Sequence, residues 1–132
     1  MKPHLRRPVI LAVLFGVIAV LTAATQGQKF PGGVFKTSDG TNTIALDFDS
    51  TGALNVYVNN ESFSNGTWSV KADTLTFGRV QGPEGYACAS EARYLWALAE
   101  NQITFKPAGE DDCQTRRDGL LGMIWTKGLT SQ

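Results

Sequence analysis

Histidine and cysteine are scarce in this chain, which narrows the chemistry it can perform. Its 132 residues include one histidine, His4, and two cysteines, Cys88 and Cys113. His4 precedes the segment that we expect to fold, so the folded part has no imidazole. This excludes catalytic triads built on histidine and metal sites with histidine ligands. If the two cysteines are bonded to each other, no thiolate nucleophile remains, and only tyrosine or carboxylate chemistry is left.

The amino terminus has the three-part pattern of a secretory signal. Lys2, Arg6 and Arg7 supply positive charge, an uncharged run of 16 residues extends over 9–24, and small residues stand at its end. A spanning helix usually needs about 20 residues. We therefore predict cleavage after about residue 24, the alternative being an uncleaved amino-terminal anchor. Export to the periplasm or the extracellular space is expected, with no membrane span in the mature chain.

Charge is balanced over the whole chain, with 12 basic and 12 acidic residues. Three of the basic residues precede the expected cleavage point and none of the acidic ones does, so the mature net charge is 9 − 12 = −3. A mildly acidic surface argues against binding to nucleic acid and to anionic membranes. An exported chain meets oxidising conditions, so a disulfide between Cys88 and Cys113 is the default expectation.

Apolar and polar side chains alternate from residue 33 onward, and this period of two is typical of β-strands. Short polar segments separate the runs, for example Asp49–Gly52 and the two-residue turn Glu100-Asn101, where Asn would tolerate a positive φ. No segment shows a sustained helical period, although 118–121 could form one helical turn. The pattern predicts eight strands at about 33–37, 43–49, 53–59, 65–71, 74–79, 93–99, 102–107 and 123–127.

The connections between these strands are nearly all short, which determines how the strands can be arranged. Strands joined by short turns lie side by side and run antiparallel. Closing such a sheet buries its apolar face and removes exposed edges. We predict an all-β, single, eight-stranded antiparallel up-and-down β-barrel, with a two-sheet sandwich as the alternative. The predicted organisation is a signal segment at 1–24, a linker at 25–32, a monomeric barrel at 33–128 and a tail at 129–132.

The disulfide agrees with the predicted strand register. If Glu100-Asn101 is the turn of a hairpin, residue numbers opposed across that hairpin add to 201. The numbers of Cys88 and Cys113 also add to 201. A bond between them would hold the two long loops, 80–92 and 108–122, against each other.

Large aromatic side chains occupy most of the predicted inward positions. They either fill the barrel as a core or line an apolar pocket for one small ligand, and the mouth of a barrel can stay open even when its base is packed. For the pocket, the predicted ligand-binding residues are Phe48, Tyr94, Trp96 and Phe105. The acidic run 110–112 is expected to pair with Arg116 and Arg117, the alternative being weak cation binding. We predict no cofactor, no metal site and no catalytic residue.

Five short motifs are the basis of a resemblance to a known family: Gly33-x-Phe35, Thr74-Leu75-Thr76-Phe77, Tyr94-x-Trp96, Asp111-x-Cys113-x-x-Arg116 and Trp125-Thr126-Lys127. Over about 33–127 the chain resembles the small exported bacterial lipocalin-like barrels of the calycin type. The resemblance implies an up-and-down barrel related to lipocalins and fatty-acid-binding proteins, with a hydrophobic ligand. It implies no catalytic residue.

Three functions are compatible with this sequence. The first is a binding module that holds a small hydrophobic ligand. The second is a protein-interaction barrel, such as an inhibitor of secreted proteases, that acts through its loops or through an amino-terminal segment at 25–31. The third, ranked last, is an enzyme that uses tyrosine or a carboxylate, and we expect that the protein is not an enzyme.

Overall fold

The computed structural model describes residues 29–128. The predicted signal segment, the first half of the linker and the tail at 129–132 lie outside the described residues. Within them the chain forms eight strands and one helix, α1. The elements are β1 (Gly33–Ser38), β2 (Thr43–Phe48), β3 (Ala53–Val58), β4 (Glu61–Lys71), β5 (Thr74–Gln81), β6 (Ala92–Ala99), β7 (Gln102–Pro107), α1 (Gln114–Leu121) and β8 (Trp125–Lys127).

The strands form one closed antiparallel barrel in chain order. Each strand pairs with the next, and β1 pairs with β8 through Phe35 opposite Lys127 and Lys36 opposite Thr126, which closes the ring. The prediction of a single eight-stranded up-and-down barrel is confirmed, and the alternative of a two-sheet sandwich is wrong. Two local register shifts, at Val56/Tyr57 and at Gly66/Trp68, bend the sheet around β4.

The tight turns explain why consecutive strands pair in this register. Gly52 has φ +94, the left-handed conformation expected at the end of the β2–β3 turn, and its N–H donates to the Asp49 carbonyl at 3.0 Å. Asn59 and Asn60 both have positive φ, as a two-residue hairpin between β3 and β4 requires. In the β6–β7 turn the residue with positive φ is Glu100 (φ +59), although the sequence favoured its neighbour Asn101.

The up-and-down course of the chain gives the barrel two different ends. The end that carries the short turns 49–52, 72–73 and 100–101 is called the base, and the described chain enters there at residues 29–32. The opposite end, called the mouth, carries the turns 39–42 and 59–60 together with two long connections, 82–91 and 108–124, the second of which contains α1. Every long connection of the described chain therefore lies at the mouth.

The base is closed by aromatic rings. Phe30, just before β1, lies with its ring centroid 5.0 Å from that of Phe48 and 5.3 Å from those of Trp68 and Trp96. These are the edge-on and tilted geometries that aromatic pairs favour. Lys127 caps Phe35 nearby, with its ammonium group 5.3 Å from the ring centroid. The interior at the base is thus filled by a packed aromatic core.

Buried apolar side chains from every strand except β4 complete the core, and Trp68 of β4 packs against them as a partly buried side chain. Most of the aromatic residues predicted to point inward are buried within this core. Phe77 is central, because its ring lies 6.0 Å from Phe48, 5.6 Å from Tyr94 and 6.0 Å from Phe105. The helix α1 contributes Leu120, which is also buried. Among residues 29–128 no helix is both long and apolar enough to cross a membrane.

Candidate functional site

A cavity of about 350 Å³ opens at the mouth of the barrel. Side chains from β2 to β5, from α1 and from β8 surround it, and most of them are aliphatic or aromatic. Polar residues contribute a smaller part of the wall, chiefly near the rim. The lining residues are Asp39, Asn42, Ile44, Leu46, Leu54, Val56, Val58, Phe63, Ser64, Phe77, Val80, Tyr86, Cys88, Thr115, Arg116, Gly119, Leu120, Met123 and Trp125.

The barrel is therefore packed at one end and hollow at the other, and Phe77 belongs to both parts. It lines the cavity with one side and contacts the aromatic core with the other. Leu120 of α1 lies over the same space from the mouth side. The helix and the long connections thus cover part of an interior that the strands alone leave unfilled.

The four residues predicted to bind a ligand lie together in the packed part of the interior. Phe48, Tyr94, Trp96 and Phe105 are each less than a tenth exposed. None of them belongs to the cavity wall, and Trp96 donates its indole N–H to a backbone carbonyl in the β4–β5 turn at the base, at 3.4 Å. Their role in ligand binding stays a prediction. Phe48 borders a second cavity, at the outside of the base, and Tyr94, Trp96 and Phe105 border neither of the two.

The predicted disulfide between Cys88 and Cys113 is confirmed, with a distance of 5.5 Å between their Cα atoms. The register behind the prediction is also present, since Trp96 pairs with Phe105 and Ala99 with Gln102. The bond joins the connection 82–91 to the residue that precedes α1, and Cys88 itself borders the cavity. The disulfide therefore fixes two long segments at the mouth.

A buried ion pair fixes the same end of the barrel. Asp111 accepts hydrogen bonds from Arg116 at both carboxylate oxygens, Oδ1 from Nη2 at 2.7 Å and Oδ2 from Nε at 2.9 Å. The Tyr94 hydroxyl donates to Oδ2 at 2.5 Å, and the Cys113 N–H donates to Oδ1 at 2.9 Å. The side chains of Arg116 and Asp111 are only 6% and 2% exposed. The predicted pairing of the acidic run with an arginine is confirmed for these two residues.

Arg116 also connects α1 to the strand side of the mouth. Its Nη1 donates to the carbonyl of Gly78 in β5 at 3.0 Å, and its Nη2 donates to the carbonyl of Ser90 at 3.1 Å. The guanidinium group has five N–H donors, and these bonds together with those to Asp111 use four of them. Arg116 is therefore a cavity-wall residue whose charge is neutralised within the protein.

The pKa values of Asp111 and of its hydrogen-bond partner Tyr94 shift in opposite directions. Burial by itself raises the pKa of Asp111, but the hydrogen bonds from Arg116, Tyr94 and the Cys113 N–H outweigh burial and lower that pKa to about 2. The pKa of Tyr94 is raised, first by burial and then by its hydrogen bond to the Asp111 carboxylate and by the charge of that group. At neutral pH the hydrogen bond between Tyr94 and Asp111 therefore joins a neutral phenol to a carboxylate.

One buried polar group has no partner within residues 29–128. The indole N–H of Trp125 is fully buried and makes no hydrogen bond there, although Trp125 borders the cavity and is 3% exposed. The other two tryptophans, Trp68 and Trp96, both donate their indole N–H groups to backbone carbonyls. Nothing in the sequence indicated that the Trp125 N–H would be left unpaired.

The chain matches no known family model, no curated protein and no solved structure in comparisons with each. The resemblance to lipocalin-like barrels is confirmed only at the level of architecture, as an all-β closed barrel of eight antiparallel strands. What the protein does has to be argued from the cavity and the groups around it.

Proposed function

We propose that the protein is a binding module that holds a small apolar ligand in the cavity at the mouth of the barrel. The observation that carries this proposal is the cavity of about 350 Å³ with mainly apolar walls. Its volume lies within the range of small-molecule sites, which are concave, mostly apolar and provided with a few polar groups. An empty apolar cavity costs stability, so selection for stability alone favours filling it.

The arrangement around the cavity supports a binding role. The disulfide and the pair formed by Asp111 and Arg116 fix the mouth without filling it. A site held in this way is preorganised, so less entropy is lost when a ligand binds. The disulfide also supports the proposal that the protein is exported, because such bonds persist in oxidising compartments.

The direct test uses two matched substitutions and an apolar fluorescent probe whose emission rises in apolar surroundings. Val56 borders the cavity, whereas Val70 on β4 is 38% exposed and lies outside the cavity wall. We expect Val56→Phe to weaken probe binding by about tenfold or more, because the larger ring occupies ligand space. Val70→Phe should bind as the parent protein does. Equal affinities for both variants would contradict the proposed site.

Native mass spectrometry of the protein from its own cells provides the complementary test. A retained species of a few hundred daltons, lost in Val56→Phe and kept in Val70→Phe, is the expected result. A protein that carries nothing and binds no apolar probe would contradict the proposed function.

The alternative of a protease inhibitor acting through the amino-terminal segment has less support. Phe30, the largest apolar side chain of that segment, packs against Phe48, Trp68 and Trp96 at the base. Insertion into a protease cleft would have to withdraw this ring from the core. That the protein is not an enzyme stays a prediction.

A further inference from the structure

The charges in the wall of the mouth cavity are unevenly compensated. Arg116 is the only basic residue of the wall, and its side chain is buried and paired with Asp111. Asp39 is the only acidic residue of the wall, and it lies exposed at the rim, in the turn between β1 and β2. No basic side chain within residues 29–128 forms an ion pair with Asp39. The wall therefore offers a ligand one free negative charge and no free positive charge.

Hydrogen bonds within the turn hold the Asp39 carboxylate and leave one of its oxygens available. Oδ1 accepts the backbone N–H groups of Asn42 at 2.7 Å and of Thr41 at 2.9 Å, whereas Oδ2 accepts no hydrogen bond from the described part of the chain. The bond from Asn42, and after it the bond from Thr41, lowers the pKa of Asp39 below its ordinary value, so the group is ionised at neutral pH. Oδ2 is thus a charged acceptor at the entrance of an apolar space.

Most other charges at the mouth have the same sign as Asp39. The turns and connections at this end, 39–42, 59–60, 82–91 and 108–124, contain seven acidic and two basic residues, so their net charge is 2 − 7 = −5. Three basic residues lie on the adjoining strands, but they are exposed and do not belong to the cavity wall: Arg79, Arg93 and Lys106. An excess of one sign of charge around a cleft raises the local concentration of ligands of the opposite sign. The mouth should therefore attract cations and repel anions.

We propose that the ligand of the cavity is a mainly apolar molecule with one positively charged group, such as an alkylamine, and that its ammonium group lies at the rim beside Asp39. The proposal rests on the proposed function and names the class of its ligand. The alkyl part would be buried among the aliphatic and aromatic side chains of the wall, while the charge stays close to water and avoids the cost of burial. A fatty acid anion would instead bring its carboxylate toward a carboxylate of the protein.

The test compares three probes of equal chain length on the intact protein: an alkylammonium, the alcohol and the carboxylate. Each is used below the concentration at which it forms micelles, and its affinity is measured by displacement of the apolar fluorescent probe. An exposed pair of charges corresponds to about two- to fivefold in affinity. We expect the alkylammonium to bind tighter than the alcohol by this factor and the carboxylate to bind weakest. Added salt should reduce the preference, because salt screens exposed charges.

Two aspartates in similar turns provide matched variants. Asp39 lies at the mouth, whereas Asp49 lies at the base, where its Oδ1 accepts the Thr51 N–H at 2.8 Å. Asn keeps a side-chain oxygen for such turn bonds and removes the charge. Asp39→Asn should weaken binding of the alkylammonium by about two- to fivefold and leave the alcohol unchanged, and Asp49→Asn should change neither. Equal effects of the two substitutions on the alkylammonium, or no effect of either, would overturn the proposal.

Backbone signals in a ¹⁵N-labelled sample locate the ammonium group directly. The N–H groups of Thr41 and Asn42 donate to the Asp39 carboxylate, and the N–H of Thr51 donates to that of Asp49. On binding of the alkylammonium we expect the signals of Thr41 and Asn42 to shift more than on binding of the alcohol, and the signal of Thr51 to stay unchanged. Signals of Thr41 and Asn42 that respond alike to both probes would contradict the placement beside Asp39.

The outcomes distinguish the class of ligand from the binding function itself. If the apolar probe binds but the alkylammonium displaces it no better than the alcohol does, the proposed class is wrong and the binding function remains. The same holds if the carboxylate binds tightest or if the preference does not respond to salt. If neither the apolar probe nor any of the three chains binds, the proposed function fails, and the proposed class of ligand fails with it.

Discussion

Replacing Arg116 by Met should destabilise the protein far more than the same change at its neighbour Arg117. Both residues lie in α1, but the Arg116 side chain is 6% exposed and bonded to Asp111, Gly78 and Ser90. The Arg117 side chain is 42% exposed, and its Nε lies 3.7 Å from Oδ1 of Asp118, so these two charges form an exposed pair. The two variants therefore make the same change of side chain, once in a buried charge pair and once in an exposed one.

The expected magnitude follows from what remains after the substitution. Met leaves the Asp111 carboxylate, only 2% exposed, without its counter-charge. Breaking a buried pair in this way typically costs about 3–5 kcal/mol. A domain of this size has a total stability of about 5–15 kcal/mol, so the loss should be large. Arg117→Met should cost about 1 kcal/mol or less, because exposed pairs contribute little.

Urea unfolding followed by tryptophan fluorescence measures both free energies of unfolding. The double variant Asp111→Asn, Arg116→Met serves as the control, since it removes the stranded charge and should recover part of the stability. Similar losses for Arg116→Met and Arg117→Met would refute the reasoning. So would a double variant less stable than Arg116→Met alone, because the stranded carboxylate would then not be the cause.

Four further expectations follow from the same structure. The pKa of Asp111 falls from 3.8 to about 2 on folding, which contributes about 2 kcal/mol to the free energy of unfolding. This contribution should be complete above pH 4 and be lost as the pH drops from about 4 to 2. Unfolding measured at several acidic pH values should show the loss, and the variant Asp111→Asn should not show it. The raised pKa of Tyr94 implies stability that is present below pH 10 and lost above it, so alkaline unfolding curves of Tyr94→Phe should depend less on pH than those of the parent. Replacing Cys88 and Cys113 together by Ala should cost about 3 kcal/mol, as expected for a loop closed between residues 25 apart, and a thermal midpoint unchanged in the variant would disprove it. Phe30→Ala should lower the free energy of unfolding by about 2 kcal/mol, because ring contacts at the base are lost. The affinity for the apolar probe at the mouth should stay intact. Reduced affinity without loss of stability would contradict the separation of the two ends.

The barrel could be predicted from the sequence because its evidence is local. Side chains alternate in β2, β5, β6 and β7, and short turns leave antiparallel neighbours as the only arrangement. The Cys88–Cys113 bond could be predicted because both residues follow the same end of the β6–β7 hairpin, although the paired register itself ends at Tyr94 opposite Pro107.

The boundaries that were missed depend on contacts distant in sequence. β4 begins at Glu61 rather than near residue 65, because polar side chains such as Ser64 hide its alternation while two register shifts bend it around the barrel. β8 begins at Trp125 rather than at 123 because α1, predicted as a single turn, extends over Gln114–Leu121. The sequence of α1 is mainly polar and has no helical period of apolar residues, and the position of this helix depends on the hydrogen bonds of Arg116.

The location of the hollow part could not be predicted for a different reason. Alternation tells which face of a strand points inward but not how far along the barrel axis each side chain lies. Ile44 and Phe48 both point inward from β2, yet Ile44 borders the cavity and Phe48 packs against Phe30 at the base. Phe30 lies in the segment before β1, where apolar and polar residues do not alternate, so its contact with Phe48 could not be predicted from such a pattern.

The entry of the chain at the base has a practical consequence for measuring binding. Lys29 is exposed beside Phe30, and Gly128 follows β8 at the same end, where its N–H donates to the Val34 carbonyl at 2.7 Å. The described chain thus begins and ends on the side away from the cavity. A sensor surface or a bulky label coupled at Lys29 would leave the opening directed toward the solution, so immobilised protein should retain the access that free protein has.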